Sequence, residues 1–140
     1  MRKLFALLLV MAVLPLMADA PEWGTTYKQI ESTIKAPVFK SKEYVITKFG
    51  ASTKASAARN QKAINKAIAT CSRKGGGRVV VPAGEWKTGA ITLKSGVNLV
   101  VEKDAKLQFV FDTSLYPLVR TRWEGMDCYN YQPCIYGDSV

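Results

Sequence analysis

Acid–base chemistry in this 140-residue chain rests on carboxylates, because the sequence contains no histidine. That absence excludes Ser-His-Asp and Cys-His catalysis and any histidine-ligated metal site. The three cysteines, Cys71, Cys128 and Cys134, include no CxxC pair and cannot build a structural zinc site alone. Neither a metal nor a cofactor is therefore expected. Paired carboxylates remain, and they suit glycoside hydrolysis, where two carboxyl groups flank the scissile bond at roughly 5–10 Å depending on the stereochemical outcome. The candidates are Asp104, Asp112, Glu124, Asp127 and Asp138. Asp104 follows a strand-like run and Asp112 opens a loop, both ordinary surface positions. Glu124 and Asp127 stand three apart beside Arg122 and Trp123. No catalytic residue is assigned within the chain. Arg122 and Glu124 are the residues assigned to a substrate cleft, the alternative being a loop ion pair beside a packed Trp123.

Gly75-Gly76-Gly77 invites comparison with a phosphate-binding loop. Such loops follow a strand and open a helix, whereas this one closes a helix and opens a strand. It reads as a helix cap and a tight entry to the strand.

The elements that must position these residues are marked by periodicity. Trp23, Tyr27, Ile30 and Ile34 fall at offsets 0, 4, 7 and 11, one stripe of a helix. Thr25 or Thr26 would cap its start, and Ala36-Pro37 would stop it. Tyr44–Phe49 is β-branched and aromatic and reads as a strand ending at Gly50. A second helix opens at Ser56 or an alanine after it and runs to Ser72. Ile64, Ala67, Ile68 and Cys71 form its apolar stripe, and Gly75 its left-handed cap. Cys71, on that stripe, reads as a small core residue. Four short β-rich runs follow, Arg78–Val81, Ala90–Leu93, Val97–Glu102 and Lys106–Val110, with turns and no helices between them. That texture fits a meander or the coils of a solenoid. The tail from Asp112 to Val140 is aromatic and irregular, as long loops on a scaffold would be.

Arg2 and Lys3 precede a 14-residue apolar run, Leu4–Met17, and then Ala18-Asp19-Ala20. This order reads as a secretory signal peptide over residues 1–20, too short for a membrane span of about 20 apolar residues. Removing it leaves residues 21–140 with 18 basic and 10 acidic side chains. An exported basic protein is expected to meet an acidic polysaccharide, with no nucleic-acid partner and no membrane contact beyond export. In an oxidising compartment Cys128 and Cys134, six apart, could form a small-loop disulfide, although their spacing does not require it.

Against this background a resemblance stands out. Phe49-Gly50-Ala51, the helix Asn60–Ser72 with Gly75-Gly76-Gly77, Arg78–Trp86 and Thr88–Ser95 resemble the opening of polygalacturonase-like enzymes of glycoside hydrolase family 28. Val97-Asn98-Leu99 through Lys106-Leu107 continues the similarity. Thr121-Arg122-Trp123-Glu124-Gly125, Cys128-Tyr129-Asn130-Tyr131, Pro133 and Ile135-Tyr136 are similar to a stretch of bacterial members that act on pectin. The first block is shared with other pectate-lyase-like proteins; the second is more specific.

The resemblance implies an all-β fold with N-terminal helices. It would comprise the opening coils of a right-handed parallel β-helix, or solenoid, capped by an amphipathic helix. It also implies galacturonan as substrate and hydrolysis with inversion by aspartates. The family carries these in Asn-Thr-Asp, Asp-Asp, Gly-His-Gly and Arg-Ile-Lys motifs, and none of the four occurs here. Another departure is local. Members usually follow the Gly50-Ala51 position with an Asp-Gly turn, where this chain has Ser52-Thr53-Lys54-Ala55.

The reading is therefore the N-terminal part of an exported pectin-degrading hydrolase, residues 21–140 being inactive and poorly soluble alone for want of further coils. The alternatives are a small exported module that binds acidic polysaccharide without cleaving it, and a structural piece completed by another chain. The intact mass of the native product in an exported fraction checks these. A mass far above that of residues 21–140 is expected for the hydrolase, and a mass equal to it would remove the catalytic reading.

Overall fold

The structure is a computed structural model in which residues 23–137 are described. The signal segment read at residues 1–20 and the candidate Asp138 lie outside the described residues. The chain divides into two compact units, Met1–Pro37 and Val38–Val140. The described part of the first is α1 (Trp23–Thr33) with the residues after it. α1 starts before Thr25 and Thr26, so these lie inside the helix and not at its cap. It ends at Thr33, where the Ser32 and Thr33 hydroxyls donate to the carbonyls of Gln29 and Ile30 at 2.7 Å each. Its stripe of Tyr27, Ile30 and Ile34 is exposed. Among the described residues no helix is long and apolar enough to cross a membrane.

The second unit is built on short strands and one long helix. The strand expected over Tyr44–Phe49 is shorter and starts earlier: β1 covers Glu43–Val45, and Ile46–Phe49 is a turn of 3₁₀ helix. The chain reverses there because Gly50, at φ 99°, donates to Thr47 and lets Ala51 donate to Ile46.

The helix α2 (Ala57–Arg73) matches its sequence pattern closely. Ser56 is extended and its side chain accepts from the Arg59 amide, the expected N-cap geometry. At the other end Gly75 donates to Ser72 at 2.9 Å and Gly76 donates to Cys71 at 3.0 Å, the Schellman pairing that ends a helix on a left-handed residue. Ala63, Ile64, Ala67, Ile68 and Cys71 are buried in the core with Ile46, Val79, Val81, Trp86 and Ile91. Burial raises the Cys71 thiol pKa, consistent with a packing role.

Seven of the nine strands among the described residues pair in parallel. β2 (Gly77–Val81) lies between β1 and β5 (Val97–Val101); β3 (Gly84–Thr88) pairs with β6 (Ala105–Phe109); β4 (Ile91–Thr92) pairs with β9 (Ile135–Tyr136). Gly77 faces Val97 and Gly84 faces Ala105, register offsets of 20 and 21 residues. Ile91 faces Ile135, an offset of 44. The step from β2 to β5 thus matches that from β3 to β6, whereas β1 and β2 are 35 residues apart in register, Glu43 facing Arg78, with α2 between them, and the step from β4 to β9 is lengthened by the segment inserted between β6 and β9. The layers approach closely at Gly76 and Gly77: a Cβ on Gly76, at φ 92°, would stand 2.5 Å from the Gly96 carbonyl oxygen, and one on Gly77 2.5 Å from that of Lys42.

Two further differences from the sequence reading concern strands. β3 occupies Gly84–Thr88, between the expected runs Arg78–Val81 and Ala90–Leu93, where only a turn was expected. The tail expected to be irregular contains an antiparallel hairpin, β7 (Leu118–Trp123) and β8 (Met126–Tyr131), and then β9.

The departure after Gly50-Ala51 is resolved by Asn60. Its side chain is fully buried, accepts from the Ser52 amide at 2.9 Å, and donates to the carbonyls of Ser52 and Lys87 at 3.0 Å each. The bend into α2 is thus fixed by one amide side chain that also grips β3. Asn60→Ala leaves buried backbone groups without partners and is expected to cost about 3 kcal/mol. Thermal or denaturant unfolding of the gene product checks this. An unchanged midpoint would show that water or a shifted backbone replaces Asn60.

Candidate functional site

The hairpin is the most chemically distinctive surface of the described residues. It begins after Asp112, whose carboxylate accepts from the Ser114 amide at 3.0 Å and hydroxyl at 2.7 Å, starting a 3₁₀ turn at Thr113–Leu115. Its base is tied to the strands by Gln132, which is 5% exposed. The Gln132 backbone amide donates to Pro117 at 2.8 Å, and its side-chain amide donates to Thr92 Oγ1 at 3.0 Å and the Ile91 carbonyl at 3.3 Å. Gln61 of α2 donates to the carbonyls of Leu115 at 2.7 Å and Ala90 at 3.0 Å, holding the segment that enters the hairpin.

The turn is Glu124-Gly125, at φ 46° and 87°. Two consecutive positive-φ residues make the tight connection whose twist matches the strands, and glycine at the second accommodates it without strain. Opposite residues are Leu118 with Tyr131, Arg120 with Tyr129, and Arg122 with Asp127. Side chains alternate along a strand, so these six share one face. Arg120 and Asp127 form an ion pair diagonally across it, and Arg122 Nε donates to the Gly125 carbonyl at 3.2 Å. Leu118, Tyr129 and Tyr131 are exposed. Two guanidinium groups and two phenol rings therefore look outward together. Guanidinium forks match planar carboxylates, and aromatic rings offer flat apolar area, the combination that suits an anionic sugar ring.

Of the residues singled out in the sequence, Arg122 lies on this face. Glu124 stands at the turn, outside the ladder. The loop ion pair beside a packed Trp123 takes another form: the pair is Arg120–Asp127, and Trp123 is 65% exposed. Asp127 is the carboxylate of that pair. Asp104 sits at φ 63° in the turn before β6, and Asp112 is spent on its 3₁₀ turn. Among the described residues no group of histidine, cysteine and carboxylate side chains is placed to hold a metal. Arg120, Tyr129, Tyr131 and Gln132 were missed by sequence reasoning. The signal for the first three was the Glu-Gly dipeptide between two six-residue runs rich in Thr, Val, Trp and Tyr.

All three cysteines are free thiols: Cys71 is buried, Cys128 half-buried and Cys134 exposed. Cys134 neighbours Tyr116, whose hydroxyl donates to the Val110 carbonyl at 3.0 Å. Burial, and then the Cys134 thiol and the Asp112 carboxylate, raise the Tyr116 pKa. It remains a neutral donor that pins the segment leading into β7.

No protein-family model matches the chain. A Vitis vinifera protein described as "Probable polygalacturonase" is 36% identical over 64 residues, 44% of this chain and 13% of that protein. The backbone is similar to that of a hyperthermoactive exopolygalacturonase from Thermotoga maritima, with a TM-score of 0.70 and 34% identity over 79% of this chain and 24% of that one. It is also similar to a family 28 exopolygalacturonase from Yersinia enterocolitica, with a TM-score of 0.58 and 32% identity over 69% of this chain and 16% of that one. The chain thus spans a quarter or less of each of these proteins. In sequence and in backbone it is related to the polygalacturonase-like proteins of glycoside hydrolase family 28.

Proposed function

We propose that the chain is the N-terminal part of an exported hydrolase that cleaves galacturonan, and that its hairpin face touches the acidic glycan. The similarity to two exopolygalacturonases over most of the described residues carries this reading. On it, β1 to β6 and β9 are the opening coils of a right-handed parallel β-helix, with α2 over its end. Residues 1–20 are its signal peptide. The matching steps of 20 and 21 residues, from β2 to β5 and from β3 to β6, support stacked coils. So does the burial gradient: Val79 and Val81 of β2 are fully buried, whereas Val97, Leu99, Leu107 and Phe109 of the next layer are half-buried. Further coils would cover that layer and would carry the aspartates, since the four family motifs are absent from these 140 residues.

On this reading the hairpin's part in the reaction is binding. Arg122 would meet a substrate carboxylate, while Tyr129 and Tyr131 flank the sugar rings and Arg120 stays paired with Asp127. Such contacts hold substrate in the ground and transition states alike, so their loss raises KM more than it lowers kcat.

The missing motifs also favour a second reading, a module that binds acidic polysaccharide without cleaving it. Release of reducing ends from polygalacturonate by the native gene product separates the two. Turnover is expected, and binding without turnover would favour the module. Arg122→Ala is expected to weaken binding roughly ten-fold, about 1.4 kcal/mol for one charge-assisted contact. Unchanged KM and binding in that variant would remove the hairpin from the site.

A further inference from the structure

The outer face of α2 carries a row of cations that the hairpin reading leaves unused. Arg59, Lys62, Lys66 and Arg73 fall at offsets 0, 3, 7 and 14, which places them within an arc of about 60° on the helix surface. All four are exposed, and the helix contains no acidic residue. The ion pairs among the described residues are Arg78–Glu43, Lys106–Glu85 and Arg120–Asp127, so no carboxylate neutralises this row. Lys62 and Lys66 repel each other at i,i+4 spacing, a cost that a bound polyanion would relieve. The row spans about 21 Å along the helix axis.

A shallow depression of about 220 Å³ runs beside it, lined by Phe49, Gly50, Arg59, Lys62, Ala63 and Lys66. Phe49 is half-buried and gives the depression an aromatic wall, and Gly50 has no side chain to fill it. We propose that this face is a second carbohydrate-binding surface that holds a linear chain of carboxylate-bearing sugars along α2. The proposal rests on the galacturonan reading and adds a contact on the helix, made by residues other than those of the hairpin. The cations and the aromatic wall supply for an anionic sugar the same chemistry as the hairpin's arginines and tyrosines.

A lipid surface fits less well. Helices that lie in a membrane interface insert an exposed apolar face, and none of the exposed large apolar side chains belongs to α2. Its apolar residues are buried in the core. A polyanion in water needs only the cations and the depression. Attraction of this kind is strongest at low salt.

The test is the triple variant R59Q/K62Q/K66Q in the native gene product. Glutamine keeps helix propensity, so the thermal midpoint should stay within a few degrees. Retention on insoluble de-esterified pectin at 50 mM NaCl is expected to fall roughly ten-fold, three exposed charge pairs being removed. Turnover of a short soluble oligogalacturonide should stay unchanged, and R59K/K62R/K66R should retain pectin binding. Unchanged retention in the glutamine variant would overturn the proposal, as would equal loss of short-substrate turnover. Binding of anionic phospholipid vesicles that matched pectin binding and vanished with it would overturn it in favour of a membrane contact. A wild type that neither binds nor cleaves polygalacturonate would fail earlier, and would sink the galacturonan reading together with this one.

Discussion

The second unit depends on how the free edges of β3 and β4 find hydrogen-bond partners. Each of these strands pairs with one other strand, β6 and β9 respectively, so each keeps an edge of unpaired backbone groups. Leaving such groups buried and unpartnered would cost free energy comparable to a lost hydrogen bond apiece. The amide side chains of α2 meet them. Asn60 donates to the Lys87 carbonyl, Asn65 donates to the Ala90 carbonyl at 3.1 Å and accepts from the Thr92 amide at 2.9 Å, and Gln61 donates to Ala90 as well. Apolar burial through Ile64, Ala67 and Ile68 presses the helix onto the strands but is indifferent to small slips along them. The three amides are directional, and they fix the register of helix against strand.

The same constraint reaches the hairpin. Gln61 also holds Leu115, at the entrance to β7, and Gln132 hooks the exit to Ile91 and Thr92. Both ends of the insertion are thereby tied to β4 and its surroundings, while the strands between them are exposed almost throughout. Its base is rigid because buried amides hold it. Its outer part owes its shape to the ladder and to the Glu124-Gly125 turn. A binding face carried on such an arrangement can adapt at the tip without disturbing the core, which is the usual division between scaffold and site.

The legible parts of the sequence were those with one buried face. α2 could be read because Ile64, Ala67, Ile68 and Cys71 recur at helical spacing between a Ser and a Gly that cap it. The hairpin could not, because it has little buried face: Leu118, Arg120 and Arg122 are exposed on one side, and Thr121, Trp123 and Met126 on the other. Alternation of apolar and polar residues has nothing to report where both faces meet solvent. β3 was missed because Gly84, at φ 126°, reads as part of a turn, and Trp86 is the only large apolar residue the strand buries. The 3₁₀ turn at Ile46–Phe49 was hidden in a β-branched run whose path is decided by Gly50, not by propensity. The resemblance to polygalacturonases reached further than periodicity because it rests on particular residues, including those of the hairpin. Arg122 was singled out for its place among Trp123, Glu124 and Asp127, and its face-mates Arg120 and Tyr129 became visible as a pair once the strand register was known.

The net charge of +9 is easily taken as a property of the whole surface, yet the structure divides it unevenly. Arg78, Lys106 and Arg120 each have a carboxylate within ion-pair distance, and such exposed pairs are close to neutral for stability and for distant ligands. The charges that matter to a polyanion are those left without such a partner and set in a row. α2 supplies four of them on a helix that is already fixed by its buried amides and apolar stripe. The side that holds the strands and the side that faces solvent are therefore under separate physical demands. The outer cations can be changed without touching the inner contacts, which makes the charge of that face a variable of binding alone.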